Sequence, residues 1–218
     1  MPLGGDVLKA TIPALQEAIK ARHRTRERLD ALHSLELLGP LARPSVASVV
    51  EQLDDPNPFI RWAAARALQK MSDSKSPSAT VVQGLSKMIT DPDIDARFAA
   101  TRALRSFDPT PAVTKLTVPV LAREVANPQR DVKARLDYLE TLDEAGLGAK
   151  LAIPSIAKVL SPSNASDPDL RIRAAQLLGR FGTVAKEAVP ALRAAMKDDN
   201  EEVRTAVEEA LLAVLTTK

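Results

Sequence analysis

The side chains of this sequence that could support catalysis or bind a metal are few and lie far apart. Histidine occurs at His23 and His33 only, and the chain has no cysteine. Thiolate metal ligands and a cysteine nucleophile are therefore excluded, and two histidines are too few for a histidine-based metal site. One acidic group could hold a cation or act as general acid and base, and it consists of Asp137, Glu140, Asp143 and Glu144. We interpret this group as a solvated helix face.

The chain also lacks the sequence signatures of common enzyme classes. No GxSxG nucleophile elbow occurs. The segment GLGAK (146–150) superficially suggests a phosphate-binding loop, but it does not have the GxxxxGK[ST] spacing. We therefore predict a protein that is not an enzyme and has no catalytic residues, metal ligands or cofactor.

The composition favours closely packed helices. Hydrophobic residues make up 45% of the 218 residues, whereas aromatic residues make up only 3%. A core built mainly from Ala, Leu, Val and Ile suits helix–helix contacts better than a large sheet. The 30 basic and 28 acidic residues give a formal net charge of +2, which is no overall electrostatic footprint for nucleic acid or an anionic membrane.

The sequence shows no targeting segment. Residues 1–10 lack the basic start and the apolar run of a secretion signal. No apolar stretch approaches the roughly 20 residues of a membrane helix. We therefore expect a cytoplasmic protein without membrane insertion, in which residues 1–10 form an N-terminal tail.

An arginine recurs six times along the chain, at intervals of 33, 36, 38, 36 and 33 residues. The six framing arginines are Arg28, Arg61, Arg97, Arg135, Arg171 and Arg204. The seventh residue after each of them is leucine, the tenth is always apolar, and the third is most often alanine. Offsets of 3, 7 and 10 lie on one face of an α-helix, so each arginine marks a helix with one buried face.

Helix-start signals precede five of the six arginines. Asn or Asp stands four residues before the arginine, at Asn57, Asp93, Asp131, Asp167 and Asn200. These side chains can accept hydrogen bonds from the unpaired N–H groups of a first helical turn, and Pro58 and Pro168 suit the first helical position. The first repeat has Arg24 at the cap position, so its helix start stays open, with Thr25 as the alternative.

An earlier helix is predicted before each arginine-marked helix. Its signature is an apolar residue, often followed by proline, then further apolar residues at helical spacing, as in VPVLAREV (118–125) and VPALRAAM (189–196). The linkers 146–156 and 182–192 are similar in sequence. Gly146 and Gly182 stand where a left-handed helix C-cap is expected.

Together these motifs resemble HEAT repeats. The segment AVPALRAAMKDDNEEVRTAVEEALLAVL (188–215) is similar to the short bacterial type known from bilin-lyase-like proteins. The resemblance covers roughly residues 11–215 and implies an all-α, right-handed α-solenoid of about six helix pairs. Within a single domain over 11–218, the repeats would span about 11–40, 41–73, 74–109, 110–147, 148–183 and 184–218.

The resemblance also implies a structural role for the framing arginines. In HEAT-like repeats, this arginine and an aspartate six residues before it typically form a ladder of hydrogen bonds between neighbouring repeats. The aspartate is present here as Asp55, Asp91 and Asp198. Gln129 and Ala165 replace it in repeats 4 and 5, so we expect the ladder to be broken there.

Function does not follow from this family alone, because HEAT proteins include scaffolds, regulators and a few enzymes. His23 and His33 are not followed by Glu, unlike the iron-binding His-Glu pairs of the HEAT-type deoxyhypusine hydroxylases. We therefore expect a monomeric, non-catalytic scaffold or regulatory module. It would bind a protein or peptide on the concave face, where the family places the second helix of each pair.

Positions +1, +5 and +8 after the framing arginine should point away from the core. Position +1 is apolar in five repeats, which indicates either partial burial against the adjacent repeat or an apolar stripe for a peptide. Arginines in repeats 2 and 3 would make the N-terminal half of the groove basic, and acidic residues further on would make its C-terminal half acidic. Such polarity would orient a ligand. The residues assigned to partner binding are Trp62, Arg66, Phe98, Arg102, Arg105, Leu136 and Glu140.

Two other functions stay open at this point. The segment KARHRTRER (20–28) is the densest basic run, and a basic N-terminal half could serve a nucleic-acid-binding or DNA-repair protein. HEAT-like alkylpurine glycosylases are the relevant comparison, with Trp62 and Phe98 as the available aromatic residues. A bilin-lyase-like protein is the second alternative, although no residue specifically supports it.

Overall fold

The computed structural model describes residues 5–21 and 23–216, with side chains from residue 9 onward. Within these ranges the chain is all-helical, with twelve α-helices in six consecutive pairs and no strand, which confirms the predicted fold class. The helices are α1 (Gly5–Lys20), α2 (Thr25–Leu38), α3 (Val46–Val50), α4 (Pro58–Met71), α5 (Ala79–Met88), α6 (Ile94–Arg105), α7 (Pro111–Val125), α8 (Val132–Glu144), α9 (Ile153–Val159), α10 (Pro168–Phe181), α11 (Val189–Ala195) and α12 (Glu201–Leu215). The even-numbered helices carry the framing arginines.

The helix starts follow the predicted capping chemistry. Asn57, Asp93, Asp131, Asp167 and Asn200 each accept a hydrogen bond from a first-turn backbone N–H. In the first repeat Arg24 occupies the cap position without a capping hydrogen bond from its side chain, and Thr25 is already helical. Helix α1 begins at Gly5, so it extends into the segment expected to be an N-terminal tail.

Three linkers between consecutive helix pairs are short 3₁₀ helices that begin with glycine, at Gly39–Ser45, Gly146–Ala152 and Gly182–Ala188. Their glycines have positive φ of 54°, 52° and 54°, as predicted for Gly146 and Gly182. The expected left-handed helical cap is wrong in detail at Gly182, whose ψ of −137° belongs to an extended region open mainly to glycine. The first linker was not recognised as equivalent, because two prolines mask its similarity.

The chain divides into two compact units, Met1–Asp108 and Pro109–Lys218, each with three helix pairs. The repeat pattern predicts a single domain over residues 11–218. Each unit has its own core of Leu, Ile, Val and Ala. Five of the six leucines seven residues after a framing arginine are buried, whereas Leu211 is half-buried, and all six residues at offset 3 are buried.

None of the described helices is both long and apolar enough to cross a membrane.

Candidate partner-binding surfaces

The framing arginines are engaged in the predicted ladder. Arg61 donates from Nε and Nη2 to the two carboxylate oxygens of Asp91, at 2.7 Å each. The next arginine, Arg97, donates to the backbone oxygen of the same Asp91 at 2.7 Å. In the second unit Arg171 donates to the two carboxylate oxygens of Asp198 in the same way, at 2.7 and 2.9 Å. One aspartate therefore joins two successive arginines, and both aspartates are buried.

The ladder also determines how these carboxylates titrate. Burial is the largest influence on Asp91 and raises its pKa, but the hydrogen bonds from Arg61 and from the Asp93 N–H act against it. Together with the charges of Arg61 and Arg97 they hold the pKa of Asp91 below its ordinary value. Asp198 behaves alike, because Arg171 and the Asn200 N–H outweigh its burial and lower its pKa.

The expected break at Ala165 is only partly present. Arg135 donates to the backbone oxygen of Asn164 at 2.9 Å and to its side-chain oxygen, so the preceding residue replaces the missing carboxylate. Arg171 still donates to the Ala165 backbone oxygen at 2.7 Å. Because Asn164 is neutral, burial is uncompensated by an ion pair and lowers the pKa of Arg135.

In the first unit, Trp62 and Arg66 lie together on α4. The guanidinium carbon of Arg66 stands 4.6 Å from the centroid of the Trp62 ring, within the range of a cation–π interaction. Arg66 also pairs with Glu36 of α2, with an Nη2–Oε1 distance of 2.7 Å, and 40% of its side chain stays exposed. Sequence reasoning assigned Arg66 to a partner, and the structure shows that an internal carboxylate already holds it.

Phe98, Arg102 and Arg105 lie on the neighbouring second helix, α6. Arg102 is exposed, whereas Phe98 and Arg105 are half-buried. The structure adds two exposed apolar side chains that sequence reasoning missed, Phe59 with 66% and Ile94 with 45% of its surface exposed. The signal was available, because Phe59, Trp62 and Arg66 are spaced i, i+3, i+7, and Ile94, Phe98 and Arg102 are spaced i, i+4, i+8.

In the second unit, Leu136 and Glu140 lie half-buried on α8. A separate groove of about 730 Å³ lies between α10 and α12. Its lining includes Ile172 and Thr205 from position +1, and Gln176 and Glu209 from position +5. Glu201 and Glu202 complete an acidic rim, and none of the described residues that line the groove is basic. The two helices approach each other closely at Gly179, where a Cβ would meet the Ala210 Cα at 3.1 Å.

Position +1 therefore has an intermediate character. Leu29, Trp62, Phe98, Leu136 and Ile172 are all half-buried, and Thr205 is exposed. These intermediate exposures favour partial burial for most residues at position +1, although part of each side chain stays at the surface. The expected charge polarity is weakened by internal pairs, because Glu36 pairs with Arg66 and Arg180 pairs with Asp143.

The acidic group on α8 forms no metal site. Asp143 pairs with Arg180, and each of the other three members also has an interaction partner. Across the described part of the chain, no group of three or more metal-binding side chains converges.

The basic run 20–28 is also partly neutralised. Lys20 pairs with Glu17 at 3.2 Å, Arg24 pairs with Glu27 at 3.1 Å, and Arg28 is buried in the ladder. Arg22 lies outside the described residues. The exposed cationic surface of this run is therefore smaller than its sequence indicates.

Comparison with known families agrees with this architecture. A sequence model of HEAT repeats matches residues 12–105, 46–140 and 153–215. The chain therefore belongs to the HEAT-repeat family. A search of curated proteins gave no match.

Solved structures with a similar fold include engineered proteins. A crystallised engineered protein is 19% identical, with a TM-score of 0.58 over 92% of this chain and 96% of that chain. A computationally designed armadillo repeat protein for modular peptide recognition is 14% identical, with a TM-score of 0.64 over 93% of this chain and 99% of that chain. A designed armadillo repeat protein in complex with the peptide (KR)4 is also 14% identical, with a TM-score of 0.62 and the same coverage. These similarities establish the α-solenoid fold.

Proposed function

We propose that this chain is a non-catalytic protein-interaction module that binds a segment of a partner protein on the exposed faces of its second helices. The observation that carries the proposal is the groove between α10 and α12. Its lining includes both side chains at position +1 and both at position +5. These are rows that the repeat pattern assigns to the outward face. A helix face that recurs in every repeat is a natural platform for an extended ligand.

Two further observations support a peptide ligand. The groove joins an apolar side chain, Ile172, to an acidic rim of Glu201, Glu202 and Glu209, a combination of anchoring and charge that suits peptide recognition. A designed armadillo protein of similar fold has been solved with the peptide (KR)4. By analogy, the acidic groove suits a segment that contains Lys or Arg.

The residues assigned from the sequence form further proposed surfaces, one in each unit. Trp62, Arg66, Phe98, Arg102 and Arg105 belong to the first unit. Leu136 and Glu140 belong to the second. We propose that these side chains, together with the groove, determine which partner segments bind.

A peptide-display selection on the immobilised full chain tests the proposal. Selected peptides are then measured by fluorescence anisotropy against wild type, a Glu209→Arg variant in the groove and a Trp62→Ala variant on α4. For each peptide, we expect at least one second-helix variant to lower the binding affinity about tenfold or more, as truncation of an interface anchor does.

The matched control is Arg193→Glu, an exposed position on the first helix α11. Circular dichroism verifies that every variant stays folded. Peptides that lose affinity only for the control variant, or a selection that yields no binding peptide, would contradict the proposal.

A further inference from the structure

The first unit presents six side chains in a regular arrangement on two neighbouring second helices. We call this surface the aromatic–arginine face, and it consists of Phe59, Trp62 and Arg66 on α4 and Ile94, Phe98 and Arg102 on α6. Each helix shows the same order from its N-terminus: an exposed apolar residue, an aromatic residue and an arginine. The two helices pack together, and the aromatic residue and the arginine of each set hold the same repeat positions, one and five residues after the framing arginine.

From this arrangement we infer that the aromatic–arginine face binds an acidic segment of a partner protein that carries large apolar side chains. This inference rests on the proposed function, and it specifies the chemistry of the ligand on the first unit.

The apolar end of the face provides the anchor. Phe59 and Ile94 leave 66% and 45% of their surfaces exposed, and Trp62 and Phe98 continue the apolar area behind them. Large apolar side chains at the surface of two helices that pack together are typical of interaction sites. Covering them with Leu or Phe side chains of a partner would remove this area from water.

The Trp62 ring is held in place before any ligand arrives. Arg66 lies over one face of the ring, and Glu36 holds Arg66 from α2. Such a preorganised platform reduces the conformational entropy lost on binding. It also explains why an internal ion pair occurs within the proposed surface.

The arginine end of the face determines the charge of the ligand. Arg102 is exposed, and Arg66 still exposes 40% of its side chain beyond its pair with Glu36. Guanidinium groups favour carboxylates, with which they can form two parallel hydrogen bonds. Lys or Arg at the same place would be repelled. The partner is therefore acidic where it meets this row.

The opposite edge of the face limits where those carboxylates can lie. Asp93 and Asp95 flank Ile94 at the start of α6 and would repel an acidic side chain there. Phe59 and Arg66 are separated by seven residues of helix, which is about 10 Å. The bound segment therefore places its apolar side chains over the Phe59 end and its carboxylates about 10 Å away, over the arginines.

Fluorescence anisotropy with three labelled peptides of about 15 residues tests the inference on the full chain. The first alternates Glu or Asp with Leu or Phe. The second has Lys at every acidic position, and the third keeps the acidic residues but has Ser for Leu and Phe. We expect the first peptide to bind at least about tenfold more tightly than either of the others.

Variants locate the binding site of the acidic apolar peptide. Phe59→Ser and Ile94→Ser change exposed side chains, so folding should persist, and each should weaken binding about tenfold. Arg102→Glu should weaken it about tenfold and should improve binding of the Lys peptide, because the introduced charge reverses the preference. Arg193→Glu, which removes an exposed arginine from α11, should have no effect.

Several outcomes would overturn the inference. If the Lys peptide binds better and loses affinity in Phe59→Ser, the surface is a peptide site of the opposite charge. If the display selection yields peptides that bind second-helix faces while the three labelled peptides have the same affinity for Phe59→Ser as for wild type, the proposed function stands without this ligand chemistry. If a single-stranded oligonucleotide binds tightly and is lost in Arg102→Glu, the face serves nucleic acid.

Discussion

At the scale of single residues, one aspartate performs three tasks. The side-chain oxygens of Asp91 accept both hydrogen bonds from Arg61 and one from the Asp93 N–H, and its backbone oxygen accepts from Arg97. Asp198 repeats the arrangement with Arg171, Asn200 and Arg204. The aspartate thus shapes the loop between the helices of its own pair and joins it to the preceding pair.

Replacement of this aspartate should be costly. In Asp91→Asn, the charge of Arg61 loses its partner in a site where only 12% of the arginine side chain is exposed. We expect the free energy of unfolding to fall by about 3 kcal/mol, as when one partner of a buried ion pair is removed. Urea denaturation measures the change, with the exposed Asp95→Asn as control. Curves that coincide for Asp91→Asn and wild type would contradict a structural role for the ladder.

The same carboxylates predict acid sensitivity. Asp91 and Asp198 have pKa values below the ordinary value of 3.8, so on acidification the unfolded chain binds protons before the folded chain does. Their stabilisation is complete above about pH 5 and is lost as the pH falls through about 4 and then through the folded pKa. Urea denaturation at pH 7, 5, 4 and 3 should show this decline.

The double variant Asp91→Asn, Asp198→Asn isolates the contribution of the two aspartates. Other carboxylates with a lowered pKa, such as Glu124 between Arg123 and Arg130, contribute equally to both proteins. We therefore expect the variant to lose less stability than wild type between pH 5 and 3. Parallel declines would show that the two aspartates do not titrate as their surroundings indicate.

At the scale of helices, the leucine seven residues after each framing arginine marks the inner side of the second helix. Leu142 is fully buried on α8, whereas Leu212 on α12 leaves 67% of its surface exposed. We expect Leu142→Ala to lower the free energy of unfolding by about 2–5 kcal/mol, the usual result of creating a cavity in a core. Leu212→Ala should change it by less than about 0.5 kcal/mol. Equal effects of the two substitutions, measured by chemical denaturation, would show that the repeat register is wrong.

The outward face of α4 was predictable only in part. The i, i+3, i+7 spacing on α4 identifies Trp62 and Arg66 as neighbours from sequence alone. It does not identify Glu36 as the partner of Arg66, because the two residues are 30 positions apart and meet only through packing of α2 on α4. The exposure of Phe59 likewise depends on which neighbours cover the first turn of α4.

At the scale of the whole molecule, charge argues against nucleic acid as the main ligand. The formal net charge is +2, and the densest basic run contains internal ion pairs at Lys20 and Arg24. We expect any affinity for duplex DNA, measured by anisotropy, to disappear by about 0.2 M salt, because it would rest on displaced counterions alone. Binding that persists at this salt concentration, or release of a free base from alkylated DNA, would favour the DNA-repair alternative.

The repeat, the helix caps and the buried side of each second helix could be predicted from the sequence alone. These features depend on residues within one or two helical turns, where spacing and capping chemistry act locally. Thus five predicted caps and five of the six leucines seven residues after a framing arginine lie where the pattern placed them. The helix pairs and the HEAT family followed directly.

Which polar groups meet across repeats, and which surfaces stay open, depends on how the helices pack. Asn164 replaces the missing aspartate of its repeat because Arg135, 29 residues earlier, reaches it when the helices pack. The groove between α10 and α12, and the exposure of Phe59 and Ile94, likewise arise where neighbouring helices meet or fail to cover one another. Such contacts join residues distant in sequence, so no local pattern encodes them, and the proposed binding surfaces are built from them.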